Sequence, residues 1–97
     1  MRHKTETEFH SARSPGYLAT LVSHFSRKIE IVETDGTAQL QFICGLAELR
    51  LIDGGLQLRI EAATAQQMTQ TCEVVESHLL RFAFREEPQP LVWRDLT

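Results

Sequence analysis

Two short stretches carry the same residue types in the same order: Leu21-x-x-His24-Phe25-x-Arg27 and Val75-x-x-His78-Leu79-x-Arg81. An imidazole titrates close to neutral pH and is a common metal ligand, and the arginine three residues on adds a permanent positive charge. Each histidine sits beside the apolar stripe of its own segment, at the boundary between core and water. If both segments pack on one sheet, His24 and His78 approach each other and form a paired imidazole site for a metal, a heme or proton transfer, with Arg27 and Arg81 as further ligand-binding candidates. A structural zinc site takes four ligands, and no third or fourth residue stands at ligand spacing. The heavier reading is therefore two boundary histidines that hydrogen-bond locally and cover the core edge.

Other residues are weaker candidates. Arg81, Phe82, Phe84 and Arg85 interleave bases with aromatics, a pattern that binds an anion or stacks a planar ligand. Phe82 completes an apolar stripe, however, and Phe84 is expected to pack near Trp93. His3 and His10 near the N-terminus read as solvated. The pair Glu86-Glu87 has no nucleophile nearby. Cys72 lies on an apolar face as a small core residue, and Cys44 precedes Gly45 in a turn where it can be exposed, with nothing nearby in sequence to activate it. No G-x-G-x-x-G, P-loop, G-x-S-x-G or H-E-x-x-H is present, so the sequence gives an enzyme no positive support.

The second histidine belongs to the best-defined element. Thr64 and Gln67 have capping-box spacing, and Ala65, Met68, Cys72, Val75, Leu79 and Phe82 recur at steps of three and four. This predicts a helix from Thr64 to Arg85, closed off by Pro88 and Pro90. Its basic end, Arg81 and Arg85, complements the free carbonyls. The first histidine lies on a helix that opens at Ser14-Pro15, with Ser14 as N-cap, and ends between Ser26 and Lys28, its stripe formed by Leu18, Leu21, Val22 and Phe25.

The remaining segments alternate. Thr5 to Ala12 reads as an edge strand with Phe9 as its one large apolar group. KIEIVE, AQLQF, AELRL and LQLRIEA follow, joined by Asp35-Gly36 (a type I′ hairpin signal), Cys44-Gly45 and Asp53-Gly54-Gly55. Ala38, Leu40, Phe42, Ala47, Leu49, Leu51, Leu56, Leu58, Ile60 and Ala62 face one way. Gln39, Gln41, Glu48, Arg50, Gln57, Arg59 and Glu61 face water. Leu91, Val92 and Trp93 add a short last strand or pack as a tail. The expectation is an α+β two-layer sandwich, with two helices on one face of an antiparallel sheet of about five strands, in the order β-α-β-β-β-β-α.

Composition sets the frame. The 97 residues suit a single domain spanning 1–97, with 42% hydrophobic residues and a formal charge of −3. Acids and bases interleave, so there is no basic footprint for nucleic acid, and no apolar run reaches the ~20 residues of a membrane span. The charged start, MRHKTETEFH, does not read as a secretory signal, and two well-separated cysteines read as reduced thiols, so the expected location is cytoplasmic. Open strand edges make a homodimer the default assembly.

Tyr17-Leu18, Leu21, His24-Phe25, Lys28, Gly45, the run His78-Leu79-Leu80-Arg81-Phe82-Ala83-Phe84-Arg85 and the late Trp93 resemble a small bacterial family, domain of unknown function 2218. The resemblance covers nearly the whole chain, and HLLRFAFRE is its most specific part. It implies a compact α+β domain similar to the TATA-binding-protein-like fold. It also implies a link to iron handling, because some members resemble appendages of siderophore-interacting flavoproteins. No catalytic residue or cofactor comes with it. The functional expectation is a small cytoplasmic binding or accessory domain without catalysis, acting on a protein or small-molecule partner. The alternative is a metal- or heme-linked module in iron or siderophore metabolism built on His24 and His78.

Overall fold

The computed structural model describes residues 2–96. In chain order the elements are β1 (His3–His10), α1 (Ser14–Phe25), β2 (Glu30–Thr34), β3 (Thr37–Gln41), β4 (Leu46–Ile52), β5 (Gly55–Ala62), α2 (Ala65–Phe82), a 3-10 turn at Phe84–Glu86 and β6 (Arg94–Asp95). The strands form one antiparallel sheet in the order β2-β3-β4-β5-β1-β6. Both helices pack on the same face, α1 over β3, β4 and β5, and α2 over β4, β5 and β1. This is the expected α+β two-layer sandwich.

The alternating pattern produces the core directly. Leu40, Ala47, Ile60 and Thr5 form one cross-strand row, and Ala38, Leu49, Leu58 and Thr7 form the next. All eight are buried. Small residues sit beside large ones along each row, which lets the helix side chains interdigitate. From the helices, Leu18, Leu21 and Phe25 of α1 and Val75 and Leu79 of α2 close this layer.

The structure departs from the sequence expectation at several places, each with a physical cause. The described residues form six strands, the five expected and the short C-terminal one that the sequence left open. The last pairs at Arg94–Asp95 instead of 91–93, because Glu6 of β1 captures the Arg94 guanidinium while Pro88 and Pro90 keep the preceding chain off the sheet. As a result β1 is not an edge strand: β5 pairs it along its whole length and β6 covers Thr5 and Glu6. The N-cap of α1 is Arg13, with no side-chain cap, and the Ser14 hydroxyl is buried without a partner. Thr64 does cap α2, accepting from the Gln67 N–H at 3.1 Å. That helix stops at Phe82 because the chain tightens into the 3-10 turn. At Asp35-Gly36 only Gly36 has a positive φ, +70°, so the turn is not type I′, which needs two such residues. Phe84 stands 64% exposed under the Arg85 guanidinium instead of packing on Trp93, whose indole N–H donates to Glu76 Oε1 at 2.7 Å.

The β3–β4 turn docks tightly beneath α2. A Cβ on Gly45 would lie 2.6 Å from the Thr71 hydroxyl and 2.8 Å from the Glu61 carbonyl. Gly16, in the first turn of α1, has nothing within 4 Å of that position. Gly45→Ala is therefore expected to cost about 1–3 kcal/mol of stability, whereas Gly16→Ala gains about 0.5 kcal/mol. Urea denaturation of the two variants checks the contrast.

Candidate functional site

The last turn of α1 and the C-terminal half of α2 lie side by side because both helices bury their stripes on one sheet. Phe25 anchors the crossing: its ring meets Phe42, at the end of β3, edge-on at 5.0 Å and the His78 ring at 4.8 Å. The residue before it, His24, turns outward along the same seam. Its ring centroid lies 4.9 Å from that of His78 at an interplanar angle of 44°. Phe82 closes the group, 5.8 Å from His24 and 6.4 Å from His78. Thus the two histidines singled out by their spacing do meet.

Hydrogen bonding orients His78. Its Nδ1 lies 2.7 Å from the Val74 carbonyl oxygen, one helical turn back. A carbonyl only accepts, so Nδ1–H is the donor, and in the neutral ring Nε2 keeps the lone pair. This is the arrangement in which a histidine presents one nitrogen to a ligand while the backbone fixes the other. The rings touch, which suits two adjacent ligands on one ion. It does not suit two axial ligands with a macrocycle between them, which would set the ring centroids about 6 Å apart. Among the described residues no group of three or more His, Cys, Asp or Glu could surround a metal.

The surrounding charge is positive. Burial against its neighbours holds the His24 imidazole below its ordinary range, and His78, Lys28, Arg81 and Arg27 push the same way. Arg27 and Lys28 line an open groove of about 570 Å³ with His24 and Phe82. A second groove of about 630 Å³ is lined by Arg13, Tyr17, Arg81 and Phe84, and the two meet at Thr20 and Phe82. His24 and Arg27 line the first groove and Arg81 the second, while His78 lines neither and joins this surface through its ring contact with His24; the two grooves share an aromatic floor at Phe82 and a cationic rim. Such a surface can hold an anion by charge and a planar group by stacking.

The remaining candidates fall elsewhere. Cys72 is half-buried, and burial pushes its thiol up to about 12, too high for a nucleophile. Cys44 is only partly exposed, and its sulfur accepts from the Thr71 hydroxyl at 3.1 Å. His10 is exposed beside Glu8, and His3 opens β1 half-buried. Three carboxylates with structural work escaped the sequence reading. Glu6 is buried between Arg94 and Arg59, and hydrogen bonds from these guanidiniums, Arg94 first, hold it below the usual carboxylate range. Glu76 accepts from the Leu91 N–H at 3.1 Å as well as from Trp93. Glu86 accepts from the Tyr17 and Ser11 hydroxyls. Each partner is more than ten residues away in the chain, so no local spacing announces it.

Residues 6–94 match the family described as "Uncharacterized protein conserved in bacteria (DUF2218)". The chain belongs to this family. It is also similar in fold to a solved structure, "NMR structure of PA4090 from Pseudomonas aeruginosa", with a TM-score of 0.78 and 17% identity over 95% of each chain. At that identity the likeness is one of fold. No curated protein matches significantly. Among the described residues no helix is long and apolar enough to cross a membrane.

Because the folded state favours neutral His24, the unfolded chain binds the proton more readily. Stability from this group is complete above the ordinary histidine value of about 6.5 and is lost as pH falls through the lower folded value. Chemical denaturation at a series of pH values is expected to show this decline, and His24→Gln is expected to flatten it. Glu6 adds a second loss at lower pH, in the carboxylate range, which Glu6→Gln removes.

Proposed function

We propose that this chain is a small, non-catalytic binding or accessory domain whose recognition surface is the α1–α2 seam, and that it takes a planar anionic ligand there. The observation that carries this reading is the contact of His24 and His78 over Phe82 within a rim of Arg27, Lys28 and Arg81. The charged groups acting on His24 are all cationic, so an anion entering the seam relieves repulsion rather than adding it. Phe82 and the imidazole faces supply stacking area, and the guanidiniums supply paired donors for a carboxylate or phosphate. We further place this domain in the bacterial cytoplasm and assign a two-fold dimer to the free outer edge of β2, where Val32 is 61% exposed.

A second reading has its own observation, the His78 Nδ1–H bond to Val74, which leaves Nε2 as an acceptor beside the His24 ring. In this reading both imidazoles bind one divalent ion as adjacent ligands, and the other positions go to an exogenous anion. A role in iron or siderophore metabolism would follow from this form.

A ring-proton NMR titration with 2-naphthoate tests the first reading. Saturable shifts of the His24 and His78 ring signals are expected, with Arg27→Glu and Arg81→Glu each weakening binding about fivefold. Absence of shifts at millimolar ligand, or binding indifferent to both substitutions, rules it out. For the second reading, the metal content of the purified protein is decisive. A stoichiometric metal lost in His24→Ala or His78→Ala supports it, and a metal retained in both rejects it.

A further inference from the structure

The β1 edge of the sheet carries a different kind of site. After the 3-10 turn the chain returns along β1 as a strap, held by three carboxylates and by the Thr7 hydroxyl of β1, which donates to the Val92 carbonyl at 2.8 Å. Glu86 takes the Tyr17 and Ser11 hydroxyls, Glu76 takes the Leu91 N–H and the Trp93 indole, and Glu6 takes Arg94. Between these anchors the strap pairs with β1 only at Thr5 and Glu6. Pro88 and Pro90 lack an N–H, so this part of the strap cannot form a regular ladder. It bows away and leaves a slot of about 590 Å³ between itself and β1.

Backbone direction shows what the slot offers. Lys4 accepts through its carbonyl from the Leu96 N–H at 2.8 Å, so Lys4 faces the β6 side. The Phe9 carbonyl lies against Gly55 of β5, so Phe9 faces the other way. Strand groups alternate, and Glu6, Glu8 and His10 therefore turn their N–H and C=O toward the slot with Lys4. Beyond Glu6 no strand stands opposite them. Of the four wall carboxylates, Glu6 is paired with Arg94 and Arg59 and Glu86 takes two hydroxyls, which leaves Glu87 and Glu8, the latter 3.5 Å from His10, to face an incoming charge. Arg94 is already committed to Glu6.

We infer that this slot is a strand-addition site, in which an extended segment of about four residues bearing lysine or arginine pairs with Glu8 and His10 in line with β6. The open backbone groups supply the ladder, and the carboxylates select positive side chains.

The test is an amide-resolved NMR titration of the whole chain with acetyl-Val-Lys-Val-Lys-amide, beside acetyl-Val-Glu-Val-Glu-amide as control. The lysine peptide is expected to shift the Glu8 and His10 amides and those of the strap. The glutamate peptide should leave them unmoved. Glu8→Lys is expected to weaken binding about fivefold by reversing one wall charge. Glu8→Pro removes an outward N–H without breaking the β1–β5 ladder and is expected to abolish binding. If the proline variant does not fold, the Glu8→Lys titration decides alone. Unchanged amides, shifts confined to the α1–α2 seam, equal binding of both peptides, or full affinity in Glu8→Lys overturns the inference.

Discussion

One-sided burial is the constraint on which the rest of this structure depends. The central strands alternate apolar and polar residues, so the sheet has one face to hide, and the chain supplies two amphipathic helices to hide it. At roughly 25 cal/mol per Å² of apolar surface, this term outweighs any local preference the chain expresses elsewhere. Two helices covering one face must lie side by side. Their facing edges then carry whatever residues border the two stripes, and here those residues are His24 and His78. The imidazole contact is therefore a consequence of the core.

The seam is also where the chain keeps charges of one sign together. Arg27, Lys28 and Arg81 close the helix ends, where positive charge offsets the free carbonyls, so their placement has a structural cause. A second effect follows from the same arrangement. Cations gathered for helix stability form a positive field around two polar rings with an aromatic floor. If the seam binds as proposed, that capacity costs the fold little, because its components already serve packing or capping.

Much of this was legible in the sequence because it is written in local periods. The Thr64 cap, most of the α2 stripe, the four alternating strands and the face assignments need only neighbours within one or two turns, and the structure agrees with them, except that Ala65 is exposed and Thr71 is buried in its place. The repeated order of residue types on two helices bound for one sheet left a meeting of His24 and His78 open, and the helix packing decides it. The errors cluster where partners are remote. Arg94 finds Glu6 across 88 positions and Trp93 finds Glu76 across 17, so the last strand, the status of β1 and the exposure of Phe84 all escaped. The turn at Asp35-Gly36 failed differently: its sequence permits more than one hairpin geometry, and the flanking strands choose among them.

In the proposed function an anion in the α1–α2 seam interacts with the charge on His24. The most direct measurement is the pH midpoint of the His24 ring followed by NMR, in the free protein and with saturating 2-naphthoate. A bound anion stabilises the imidazolium against Lys28, Arg81 and Arg27, so the midpoint is expected to rise on binding. By linkage the ligand must then bind more tightly to the protonated seam. A midpoint unchanged at saturation would contradict the account.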